Sequence, residues 1–235
     1  MKFLCLKSLL ILGIFAPTLE TFSEEPSFRE VDASHSSSAF REQISNALSY
    51  LKNSPHEIAK ETLRSIHLGL VHIDEICDLT LSDFKQVIND YQAEGTPLAL
   101  TESDYPKLQS RESVACRVLQ EHLSGYQWEN RIYVSLSQSK KNLALTLVHE
   151  VNHVINRSHI SYYRSDLDAF LEEYRAFYVE NIVAGYDMQD PTILKRIKLK
   201  IVEDYGFRRE LLSEVPDYPL GVLVPTQRAW KKAGF

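Results

Sequence analysis

Basic residues are too few to make this chain a general binder of polyanions. Twenty-six Lys and Arg stand against 32 Asp and Glu, a net charge of −6 over 235 residues. No overall positive field therefore draws it to phosphate backbones or anionic lipid, and nucleic acid is not an expected partner. Long apolar runs are missing after the first sixteen residues, and without about eighteen in a row no later segment reads as a membrane-spanning helix. Cysteine is scarce as well, three in all. None of the three has the neighbours of a nucleophile or a cysteine-built metal knuckle. Internal repeats are absent, which excludes a solenoid. What remains is 44% apolar and 25% charged, enough to bury a core and to set wholesale disorder aside. The length suits one domain.

The amino terminus points to a compartment. Met1-Lys2 supplies a positive start, Phe3 to Ala16 is almost wholly apolar, and a polar, acidic run follows from Glu20. That order of segments reads as a secretory signal over residues 1–22, a membrane anchor being the alternative. A flexible, serine-rich lead-in is expected over 23–38 and a single domain over 39–235. The expected location is secreted or periplasmic, with no stable membrane span once the signal is removed. With Cys5 gone, Cys77 and Cys116 remain. An oxidising compartment lets them pair, and buried free thiols are the other reading.

Apolar spacing predicts a mainly helical α+β fold. Phe40, Ile44, Leu48 and Leu51 fall at helical intervals after Ser38, a candidate N-cap. Further helices are expected from Pro55 to Ile66, Leu81 to Tyr91 and Glu112 to Leu123, the last closed by Gly125. Ile66 to Ile73 reads as a strand, and so does Arg131 to Leu136, where Ile132, Val134 and Leu136 share a face. Ser137 or Ser139 then caps a helix from Lys140 to about Asn156. Another runs from about Ser165 to Ala184 and stops at Gly185. A third opens at Asp190-Pro191 and ends near Tyr205, with Gly206 as its left-handed stop. The proline-bearing tail is expected to be extended. Lys195, Arg196, Lys198 and Lys200 read as a solvated face.

The chemistry concentrates in Leu147-Val148-His149-Glu150-Val151-Asn152-His153. Histidines four apart lie one turn above each other, so both imidazoles can reach a single cation. The glutamate after the first histidine points beside that face, where it can hold a water rather than the metal. Chance produces such a pattern roughly 2% of the time in a chain of this composition, so the surroundings decide. Leu143, Leu145, Leu147, Val148, Val151, Val154 and Ile155 cover most of the helix, and three ionisable groups on a buried helix need partners. A third ligand completes a catalytic zinc site. Glu173, twenty residues on, sits at the edge of an apolar arc with Ala176 one turn further, and is preferred. His159 is the rival, at the spacing of the other common zinc arrangement. Asn156 stands where that arrangement carries glycine, and Met188 lies in what reads as a helix-cap loop.

VHEVNH followed by EEYRAF resembles the zincin metallopeptidases, most closely the gluzincin type. The likeness covers about 45 residues, Ile132 to Phe177. It implies a zincin-like domain with a small sheet next to the histidine helix, one Zn2+ held by His149, His153 and Glu173, and a peptide or protein substrate. Glu150 would be the general base that activates a zinc-bound water, and Ile132 to Leu136 would be the edge strand along which the substrate lies. His159, Tyr162, Tyr163 and Arg164 lie in the segment joining the two helices, where one of them could arch over the cleft as an oxyanion donor, packing of that loop being the other reading. The family's orienting Asp one turn after the glutamate is here Phe177. That departure keeps a second expectation open: a catalytically inactive zinc-binding protein, or a helical interaction module.

Overall fold

Hydroxyl and carboxylate caps decide where the helices begin. In the computed structural model, which describes residues 37–93, 98–157 and 165–235, helix α1 (Ser38–Lys52) starts where Ser37 Oγ accepts the Phe40 amide. The cap is therefore one residue earlier than Ser38. Ser139 caps α5 (Lys140–Asn156), Ser165 caps α6 (Asp166–Ala184), and Asp190 caps α7 (Pro191–Tyr205). Each satisfies an amide that the first helical turn leaves without a partner. Gly185 and Gly206 stop α6 and α7 in the left-handed conformation, as expected of glycine at that position. The remaining elements are α2 (Glu57–His67), β1 (His72–Glu75), α3 (Leu81–Ala93), α4 (Val114–His122), β2 (Gly125–Trp128), β3 (Arg131–Val134) and α8 (Gln227–Ala233). The expected signal segment lies outside the described residues, as does the lead-in up to residue 36. No helix among the described residues is long and apolar enough to cross a membrane.

Several expectations need correction. Residues up to His67 continue α2, so the strand expected over 66–73 begins only at His72. Gly125 does not close α4; it opens β2, a strand absent from the sequence reading. The tail is not simply extended. It contains a 3-10 turn at Arg209–Ser213 and the helix α8, whose Trp230 is buried and donates its indole N–H to Ser65 Oγ.

The three strands run in the order β1-β3-β2, with β1 parallel and β2 antiparallel to β3. β3 is thus the central strand, and both of its edges are taken. The strand that the resemblance placed at an edge is therefore interior, and β1 and β2 are the edges of the sheet. Alternation along β3 sorts its residues between two cores. Ile132 and Val134 join α1, α2, α5 and α8 on one face, while Tyr133 joins α3 and α4 on the other. The second core holds the Cys77–Cys116 disulfide, so the paired reading of the two cysteines is the one the structure takes.

Helix α5 is buried from Leu143 to Ile155 because α1, α6 and the sheet cover it on different sides. A third core fills the space between α6 and α7. The chain after α7 returns across α5: the side-chain amides of Asn152 and Asn156 both donate to the Val222 carbonyl, at 2.9 Å each. Lys198 is not part of a solvated face. It is buried, and its ammonium donates to the Val215 carbonyl at 2.8 Å and to Asp217 at 2.9 Å.

Candidate metal centre

A helix sheathed on all sides by apolar neighbours is a costly place for imidazole and carboxylate, and α5 carries three such groups within five residues. His149, Glu150 and His153 are each 6–7% exposed. Uncompensated polar burial costs about 1–3 kcal/mol per group even in the gentler mutational data. The compensation starts with helical geometry. One turn of separation sets the two imidazoles edge to face, ring centroids 4.8 Å apart, with their Nε2 atoms 3.1 Å apart.

Helix α6 packs along α5 and brings Glu173 to the same point, with Ala176 fully buried one turn on. Glu173 Oε2 lies 3.4 Å from His149 Nε2, and Oε1 lies 3.5 Å from His153 Nε2. The three residues form a buried group able to hold a metal ion. Glu173 Oε2 is buried with no hydrogen-bond partner among the described residues. Glu172 turns the other way and pairs with Arg175. His159, the rival ligand, and the candidate donors Tyr162, Tyr163 and Arg164 lie outside the described residues. The left-handed residue that ends α5 is Arg157, while Asn156 remains helical. Met188 packs with the apolar residues between α6 and α7.

The carboxylate that orients the first histidine escaped the sequence reading. Phe177, one turn after Glu173, meets the His149 ring edge-on at a centroid distance of 4.6 Å. The oxygen comes from one turn further still: Glu180 Oε2 is 3.2 Å from His149 Nδ1. Seven residues are two helical turns, so Glu180 returns to the face that carries Glu173. That spacing is readable in the sequence and was the available signal.

The ionisation follows from these neighbours. Burial opposes a charged imidazolium at His149, but the carboxylates of Glu173 and Glu180 on its two ring nitrogens outweigh that and push it up to about 10. Burial alone would raise Glu173; the two histidines overcome it and hold the carboxyl well below its ordinary range. Glu150 moves the other way, raised because burial prevails over the nearby histidines.

Glu150 faces a cavity of about 640 Å³ whose walls include Gly125, Thr146, His149, Phe177, Lys200 and Tyr205. A Cβ on Gly125 would stand 2.6 Å from both Glu150 Oε1 and Thr146 Cγ2. Glycine at the start of β2 is what lets the strand pass so close to that carboxylate. The chemical inventory is a three-donor buried cluster, a carboxylate beside it, and room for a ligand of several residues. No known family model, curated protein or solved structure matches the chain.

Proposed function

We propose that the protein is a zinc-dependent peptidase. The observation that carries this reading is the convergence of His149, His153 and Glu173, with Glu150 on the neighbouring side of the same helix and facing a cavity. The two Nε2 atoms lie 3.1 Å apart and each lies 3.4–3.5 Å from a different oxygen of Glu173, spacings close to those of ligands that share one tetrahedral ion. Bonds of about 2.0–2.1 Å to such an ion set donors roughly 3.3 Å apart. Two imidazoles and one carboxylate are also the donor set of a zinc site that keeps a position open for chemistry. Glu173 Oε2 makes no hydrogen bond and faces His149 Nε2 at 3.4 Å, where a cation held by both would satisfy it.

When bound, zinc supplies Lewis acidity, which polarises a peptide carbonyl and eases deprotonation of the attacking water. Glu150 accepts that proton and returns it to the departing amine. Its raised pKa suits both halves of the exchange. Glu180 holds the proton of His149 on Nδ1, which leaves the Nε2 lone pair for the ion. An extended peptide lies along the outer edge of β2, the strand that reaches the cavity at Gly125. The disulfide supports an oxidising compartment, outside the cytosol.

The inactive alternative drew its support from Phe177 standing where an orienting Asp was expected, and Glu180 removes that ground. The test is metal content and peptide hydrolysis measured together. Purified protein should carry one zinc, and Glu150→Gln should keep it while losing about 10²–10⁴ in turnover. Full zinc with no hydrolysis of any peptide by the wild type would sink the enzyme reading.

A further inference from the structure

Beside the cavity that exposes Glu150 lies a second, of about 350 Å³, and the two share Asn142, Leu145, Phe177, Glu180 and Lys200 as walls. Shared walls make them one groove, running from the metal cluster past the start of α5 towards α7. The far part carries Lys141 and Arg196. Lys200 stands at the junction. Its ammonium lies 5.4 Å from the centre of the Phe177 ring, and that ring is the one set against His149 at 4.6 Å. A cation thus sits one aromatic ring away from a proposed zinc ligand.

The acids on the walls are Glu150 (beside the metal cluster), Glu180 and Asp204. Glu180 turns its carboxylate to His149 Nδ1. Asp204 pairs with Lys200 across one turn of α7, with side chains 44% and 55% exposed. An exposed pair of that kind is weak and exchanges readily for another anion. The part of the groove towards α7 carries Lys141, Arg196 and Lys200 against the one acid Glu180, in a chain whose net charge is −6.

We propose that the groove selects peptides bearing a carboxylate close to the cleaved bond, held by Lys200, with Lys141 and Arg196 extending the cationic wall. This inference rests on the peptidase reading. Each residue of an extended peptide advances about 3.3–3.6 Å, so a carboxylate on one of the residues nearest the bond reaches Lys200. An acidic side chain and a free C-terminus offer the same chemistry. Arg196 stacks over Tyr186 at 4.9 Å, which keeps it beside the groove.

The test uses fluorescent octapeptides with a single Glu moved along the chain, their Gln counterparts, and each made with a free-acid or an amide C-terminus. Cleavage is measured with the zinc-loaded wild type. Binding is measured with zinc-loaded Glu150→Gln. The expected result is about a tenfold preference for the carboxylate-bearing member of a pair, abolished or inverted by Lys200→Glu in either background. Lys195→Glu, on α7 but outside both cavities, controls for net charge and keeps the preference. Zinc content and melting temperature show that each variant is intact. Preference for Glu over Gln assigns a side chain as the source, and preference for acid over amide assigns the C-terminus. Equal handling of all peptides, no measurable binding, or a preference that survives Lys200→Glu overturns the proposal. Selective binding without any cleavage leaves the groove assignment standing and removes the peptidase reading instead.

Discussion

On the α3–α4 side of the sheet, each buried carboxylate has a partner of its own. Asp83 accepts from the Tyr133 hydroxyl, Asp90 accepts from the Tyr126 hydroxyl at 2.8 Å, and Glu75 pairs with Arg111. On the other side, α5 and α6 bury two imidazoles and a carboxylate that face one another, the Glu173 oxygens lying 3.4 Å from His149 Nε2 and 3.5 Å from His153 Nε2. The first arrangement is closed in the sense that each acid meets a donor of its own. The second is open: it is a shared cluster in which a proton on an imidazole, or a metal ion between the donors, can meet the charge of the buried carboxylate. Buried polar groups are thus paired one to one on one side and gathered into a candidate metal-binding cluster on the other.

Breaking the open cluster should have the largest effect. Glu173→Ala removes a ligand, and the loss of metal affinity should exceed the roughly 10–100-fold that outer partners cost; metal analysis after dialysis should find the wild type loaded and the variant empty. Opening the closed side should change stability and leave the metal alone. Replacing Cys77 and Cys116 by Ser frees a loop of 39 residues, worth about 4 kcal/mol in the chain-entropy model. A melting temperature about 8–16 °C lower with unchanged zinc content is expected. Metal lost together with the disulfide would show that the two sides are not independent.

Glu180→Gln sharpens the contrast within the site. It should weaken zinc binding about 10–100-fold, read by competition with a chelator, because Nδ1 of His149 loses its carboxylate. A last contrast is in the pH dependence of the metal-free protein. His149 titrates at about 10 in the fold against 6.5 when free, so its protonation supports the fold fully below 6.5 and that support fades as pH rises towards 10. Melting of chelator-treated protein should fall across this window. The zinc-loaded protein, in which His149 is neutral, should show no such fall.

Legibility differed by region for a physical reason. The ends of α5, α6 and α7 follow from Ser139, Ser165 with Gly185, and Asp190-Pro191 with Gly206, all of which act on amides or carbonyls within one turn. β2 was missed because four residues, Gly125 to Trp128, carry too little alternation to register without a partner strand. Lys198 was misread because its face of α7 is covered by residues from Val215 to Asp217, a contact that helical spacing does not announce.

By itself the sequence determined that His149 and His153 share a helical face with Glu150 beside it, since a 3.6-residue period leaves no other arrangement. Only the tertiary structure decided that Glu173 and Glu180 flank the same imidazole, and that β2 rather than β3 is the edge beside the cavity. Those facts depend on how α6 lies along α5 and on the order of strands in the sheet. Both are set by packing between distant segments, and no local period encodes them.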